Sequence, residues 1–293
     1  MFKFLRRIWE IVSFPFRWLG NLIARPFRAI YRFMMTEPAS QPIGDILASL
    51  AQEEDARQQL IDDIEKFRGH LLRSVACIFL VAGAVAFYAN QITEFLATPV
   101  GGKGELQAIE LTEGVSVYMK VVFTVALAIS ILYIAFEFWF YVAPGLSVKR
   151  RWQTLWLIPL AALLFWSGMV FTYFIILPPS IQILQNVGGF QSNPRADDYY
   201  SLITRLLVWI GLFFEFPLIT TLLTDAGMIT PRVLLSQWRL AVVVIGVIAA
   251  VITPTTDPGS MAIVMVPMVV LYFISIGLSF LSYRDRQKKL ALS

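Results

Sequence analysis

Five long stretches of this chain are almost free of charge. Residues 74–93, 152–194 and 258–283 have none, 206–224 is interrupted only by Glu215, and 121–146 only by Glu137. A bilayer core about 30 Å thick takes roughly 20 helical residues at about 1.5 Å each, so every stretch predicts a membrane-spanning helix. The run from Trp152 is too long for one span. The Pro178-Pro179 pair is expected to end its helix and leave Gly188, Gly189, Asn193 and Pro194 in a loop. A sixth apolar run, 240–252, has only 13 residues, a length that by itself suits a buried or re-entrant segment.

Charge decides the status of the short run. With six spans, one side of the membrane receives twenty lysines and arginines. The other receives Lys103 and Arg195, with Lys120 and Arg205 near span ends as expected snorkelling anchors. Leaving 240–252 unspanned would put the basic tail on the charge-poor side. It is therefore expected to cross, thinning the bilayer locally, with both termini cytoplasmic. Composition agrees: 57% of the residues are hydrophobic and 15% charged, against about 45–50% and 25% in soluble domains. The net charge of +4 follows membrane topology rather than a nucleic-acid surface. One cysteine, Cys77, and one histidine, His70, exclude a disulfide framework and a Cys/His metal cluster.

Residues 1–35 carry seven basic side chains against Glu10, interleaved with nine aromatic ones. This composition predicts an amphipathic segment on an anionic membrane surface, broken at Pro15 and Pro26. Arginines interrupt each of its apolar stretches, unlike a cleavable signal peptide. From 36 to 65 the sign reverses, with eight acids facing only Arg57 while apolar residues recur at helical spacing. Those acids suit a solvated helix face, pairing with the basic arm, or attraction of a basic ligand. The expected organisation is a basic surface segment (1–35), an acidic cytoplasmic helix (36–70), an all-α six-span domain (71–283) and a basic cytoplasmic tail (284–293).

Two acids stand inside apolar runs. Glu215 lies near the middle of its span, where an ionised carboxylate costs at least about 2.5 kcal/mol. It is expected to point into a protein cavity, bind a polar group of a partner, or be protonated, the competing reading being a structural hydrogen bond inside the bundle. Pro217 opens the backbone ladder beside it. Glu137, among Phe136, Phe138, Trp139 and Tyr141, is placed either to snorkel or to act. Asp257 and Ser260 suit capping of the last helix after a tight Thr253-Pro254 turn. No nucleophile–base pair, phosphate loop or nucleotide motif is present, and catalysis and cofactors are not expected. An intramembrane enzyme would need a companion for Glu215, and a proton-coupled small-solute or ion carrier using Glu215 would favour inverted repeats, which are not evident.

Over roughly residues 62–283 the sequence resembles TatC, the multispanning subunit of the twin-arginine protein translocase. The resemblance rests on four pieces: Trp139 through Ala143-Pro144-Gly145-Leu146 with a basic triplet, Gly168 through Tyr173-Phe174 to Pro178, Phe214-Glu215-Phe216-Pro217, and Thr253-Pro254 through Asp257 and Ser260. It implies a six-helix glove-like fold in a bacterial-type inner membrane, driven by the proton-motive force. Implied partners are TatA-like and TatB-like single-span proteins gathering at Glu215, and twin-arginine signal peptides of folded cargo, within an oligomeric complex. The family reads paired arginines with two cytoplasmic glutamates. Here Lys66 and Arg150 occupy those positions. Glu65, with Asp63, Asp62 and Arg68, stands nearest the first of them and is the expected signal-binding group.

Overall fold

A computed structural model of the chain describes residues 54–143, 151–152, 154–186, 194–253 and 258–291. The basic arm 1–35, residues 36–53, Pro144 and Gly145, Asp257 and the side chains of Asp62 and Asp63 lie outside the described residues. The helices are α1 (Glu54–Ala86), α2 (Ala89–Ala97), α3 (Glu113–Val142), α4 (Leu157–Phe171), α5 (Leu177–Asn186), α6 (Ala196–Phe214), α7 (Phe216–Ala226), α8 (Pro231–Ser236), α9 (Trp238–Ile252) and α10 (Pro258–Ala291). Five apolar stretches are long enough to cross a membrane: Ile64–Ala86, Glu113–Val142, Leu157–Ile183, Ala196–Asp225 and Pro258–Arg284. The shorter α9 is the sixth. This all-α arrangement is consistent with the six-span expectation.

Two boundaries differ from those expected. The first span begins upstream, at Ile64, and stops at Ala86. Residues 89–97 form the separate amphipathic helix α2, with Ala89, Thr93, Leu96 and Ala97 buried and Asn90, Gln91 and Glu94 exposed. Polar residues on alternate turns make that segment unsuited to lipid on all sides. The second correction concerns Pro178-Pro179, which do not end the third span. A wide π-type turn, Thr172–Ile176, precedes them, and the helix resumes as α5 through Asn186. The prolines then occupy the second and third positions of α5, where their missing N–H groups matter least.

The chain divides into two compact units, 1–67 with 138–156, and 68–137 with 157–293. In the first, the Trp139 indole N–H donates to Thr154 Oγ1 at 3.0 Å, and the Phe67 and Tyr141 rings meet edge-on at 5.3 Å. Arg151 is buried, its Nε donating to the Ala143 carbonyl at 2.8 Å. This member of the basic triplet therefore satisfies a backbone acceptor just past the end of α3.

The second unit packs around α6. Ile203, Leu206 and Ile210, at helical spacing, are fully buried against Ile176 and Leu177, Ile252 of α9, and Val264 and Met268 of α10. A smaller cluster joins Ala82, Val85 and Ala89 to Val122 and Ala126. Outside these cores Leu80, Phe174, Val247 and Leu281 are exposed. That distribution suits a chain whose outer face is solvated by hydrocarbon.

Candidate functional site

Glu215 occupies a break in the fourth span. Helix α6 ends at Phe214 and α7 starts at Phe216, with Glu215 between them at φ −74°, ψ −18°. Its N–H bonds the Leu212 carbonyl at 3.1 Å, a tightened turn. Pro217 supplies no N–H for the carbonyl four residues back, so the ladder opens here. The residue is 7% exposed, and its Oε1 has no hydrogen-bond partner among the described residues. It stands 19 residues after Ala196 and ten before Asp225, the two ends of the span, the shorter distance being about 15 Å of helix.

Close helix packing holds this break in place. A Cβ on Gly168 of α4 would lie 2.8 Å from the Phe214 ring and 2.9 Å from the Gly211 Cα of α6. Only glycine permits that approach, one helical turn before Glu215. Aromatic rings surround the break. Phe171 and Phe214 lie 5.6 Å apart, Phe213 and Phe216 stack at 6.0 Å, and Phe216 meets Tyr272 at 5.9 Å. The sequence singled out Glu215 and Pro217, and named Gly168 only as the start of a stretch that carries the family resemblance. Gly211 was missed, although its place one turn before Glu215 in an apolar helix was a usable signal.

Glu137 does not snorkel. It is 5% exposed, Tyr133 OH donates to its Oε1 at 2.6 Å, and His70 Nδ1 lies 2.5 Å from its Oε2, with Arg73 Nη1 at 3.5 Å. The carboxylate thus has a phenol one turn back on α3 and two groups from α1. A lone histidine and a lone acid in separate apolar runs had left this pairing illegible. Glu65 and Arg68 are exposed on α1.

A further polar cluster was not anticipated. Lys120, expected as a snorkelling anchor, instead reaches Asp197 Oδ1 at 2.6 Å and Ser201 Oγ at 2.7 Å, and Ser116 donates to the same Asp197 oxygen at 2.7 Å. Arg195 bonds Glu113 and, at 2.8 Å, Glu110. Those two hydrogen bonds push the Arg195 pKa further above its ordinary value. Backbone bonds between Gln107 and both Pro194 and Ala196, and Tyr199 and Tyr200 donating to the Leu96 and Thr93 carbonyls, complete the clasp. Arg205, by contrast, is exposed. Opposite charges at the starts of α3 and α6 were the available signal.

At the other end of the fourth span, Thr224 and Ser279 hydroxyls meet at 2.5 Å, and Ser282 donates to Asp225. These bonds fix α7 against α10. The described residues contain no cluster of three or more metal-binding side chains.

Comparison with known proteins places this geometry. The family model for TatC, Sec-independent protein translocase protein, matches residues 62–267. The chain is 32% identical over 241 residues to the TatC protein of Deinococcus radiodurans, covering 78% of this chain and 88% of that protein. It is 32% identical over 240 residues to TatCy of Bacillus subtilis, covering 80% and 94% respectively. A crystal structure described as the twin-arginine translocase receptor TatC superposes with a TM-score of 0.69 at 30% identity, over 75% of this chain and 99% of that one. Nothing in these likenesses favours a solute carrier. The chain belongs to the TatC family and is a multi-pass membrane component of the Sec-independent, twin-arginine protein translocase.

Proposed function

We propose that this protein receives twin-arginine signal peptides of folded cargo at its cytoplasmic face and gathers TatA-like and TatB-like single-span partners at Glu215. Both termini are cytoplasmic, the membrane is a bacterial-type inner membrane, and the proton-motive force drives transport within an oligomeric complex. Residues 1–35 hold anionic lipid on the cytoplasmic side. The observation that carries the partner site is the Glu215 Oε1 atom, buried inside the fourth span with no hydrogen-bond partner among the described residues. Desolvating a carboxylate oxygen without a partner is costly, and a polar group on an incoming helix relieves that cost. Glu65, with Asp62 and Asp63, supplies carboxylates for the guanidiniums of the signal. Glu137, Trp139, Pro144, Gly145 and Asp257 hold span ends and turns.

The test is disulfide crosslinking in membranes between a cysteine at exposed Leu212 and cysteines along a TatA-like or TatB-like helix, in a Cys77→Ala background. Glu215→Gln retains a hydrogen-bonding group and is expected to keep part of the crosslink; Glu215→Leu is expected to abolish it. Equal crosslinking in wild type and Glu215→Leu overturns the site. For signal reading, a twin-arginine peptide is expected to bind at least tenfold tighter than a twin-lysine control, and Glu65→Gln to remove most of that difference. Loss of discrimination in none of the acid variants refutes the placement.

A further inference from the structure

The connection between α7 and α9 forms, with the end of α10, a cleft that plays no part in the roles above. Its volume is about 510 Å³, and Thr230, Arg232, Phe280, Leu281, Tyr283 and Arg284 line it. Position sets its environment. Arg284 is the last residue of the final apolar span, while Arg232 follows the span that ends at Asp225. The Thr224–Ser279 and Asp225–Ser282 hydrogen bonds bring these two span ends to one level. Tyr272 fixes α8 from the side by donating to the Leu234 carbonyl at 2.6 Å. Exposed Trp238, with the Arg239 guanidinium 5.7 Å from its ring, marks the same boundary as an interfacial one.

The cleft combines two chemistries. Arg232 and Arg284 are exposed, and neither has an ion-pair partner among the described residues. Asp225, in the hydrogen-bonded seam, accepts from Ser282 and forms no ion pair among the described residues. Tyr283 OH accepts from Gln287 Nε2 at 3.0 Å and keeps its own proton to donate. Within a turn of these polar groups stand Phe280 and Leu281, 40% and 61% exposed. Two guanidiniums in one cleft repel each other and accept an anion between them, and arginine forks suit a phosphate in particular. The apolar wall requires that the anion be joined to hydrocarbon. We propose that this cleft binds the headgroup of an anionic membrane phospholipid, its phosphate between Arg232 and Arg284 and an acyl chain along Phe280 and Leu281. The site is separate from the 1–35 segment and independent of what Glu215 contacts.

The test uses the full chain, purified in neutral detergent and titrated with phosphatidylglycerol or phosphatidylcholine while bound lipid is counted by native mass spectrometry. Wild type is expected to retain phosphatidylglycerol selectively. The affinity falls about fivefold for either Arg232→Gln or Arg284→Gln and about thirtyfold for both. Arg205→Gln, an exposed arginine elsewhere, leaves retention unchanged and controls for general charge loss, since every variant keeps the basic arm. If the double variant does not fold, judged by its thermal melt, the single variants carry the same test. Phosphatidylglycerol bearing a diazirine on its acyl chain is expected to label peptides containing residues 278–287. Unchanged retention in the arginine variants, or labelling confined to other segments, overturns the proposal. Inorganic phosphate that displaces the lipid at equal concentration assigns the cleft to a free anion and overturns the lipid assignment.

Discussion

Substitution of Gly168 by alanine tests whether the α4–α6 crossing fixes the break at Glu215. The added Cβ would stand 2.8 Å from the Phe214 ring and 2.9 Å from the Gly211 Cα, against ordinary contact at 3.4–4 Å. Phe214 can rotate, but the Gly211 backbone cannot yield without moving its helix, so the two helices must part by about 0.5 Å or more. Overpacking of this kind costs about 1–3 kcal/mol, offset by about 0.5–1 kcal/mol from replacing glycine inside a helix. Gly211→Ala is milder. Its Cβ meets Phe165 at 3.1 Å and Met169 at 3.3 Å, both side chains that can give, and the expected loss is under about 1 kcal/mol. At Gly83 and Gly277 an added Cβ meets nothing within 4 Å, and alanine there is expected to be neutral or stabilising by up to about 1 kcal/mol. Thermal unfolding of the purified proteins in detergent, followed by tryptophan fluorescence, should therefore order them Gly277→Ala and Gly83→Ala above Gly211→Ala above Gly168→Ala. Gly168→Ala should also weaken the Glu215-dependent crosslink while leaving the lipid cleft unaffected. A Gly168→Ala protein as stable as Gly277→Ala would refute the close-approach reasoning.

Three further outcomes are expected. Glu137→Gln removes the charge that faces His70 and Arg73 while keeping an acceptor for Tyr133, and should lower stability in a melt by about 1–3 kcal/mol. A smaller loss than in Glu65→Gln, at an exposed position, would mean that the cluster does not hold α1 to α3. A double-mutant cycle over Lys120→Met and Asp197→Asn should show a coupling of about 1 kcal/mol, because both groups remain about one-third exposed; additive effects would remove the clasp. In a Cys77→Ala background, Gly104→Cys should react with an impermeant thiol reagent added outside intact cells and Ser236→Cys should not; outside labelling of Ser236→Cys would overturn the proposed orientation.

Much of this protein is written in local composition. A run of twenty uncharged residues must leave water whatever surrounds it, so the spans and the isolation of Glu215 inside an apolar run follow from the order of residues alone. The short α9 was legible for the same reason, since topology required a crossing that length did not favour. Contacts between segments distant in the chain were not legible. Glu137 and His70 lie 67 positions apart, and Lys120 and Asp197 lie 77 apart, and no periodicity tells which of many polar residues at span ends will meet. The prolines at 178 and 179 signal a stop by local rules. Only the wide turn before them, which lets the helix restart with both prolines in its first turn, decides that the span continues. Gly211 reads as one more small residue in an apolar helix until Gly168 packs against it, because a close backbone approach is a property of two helices and cannot be seen in either one.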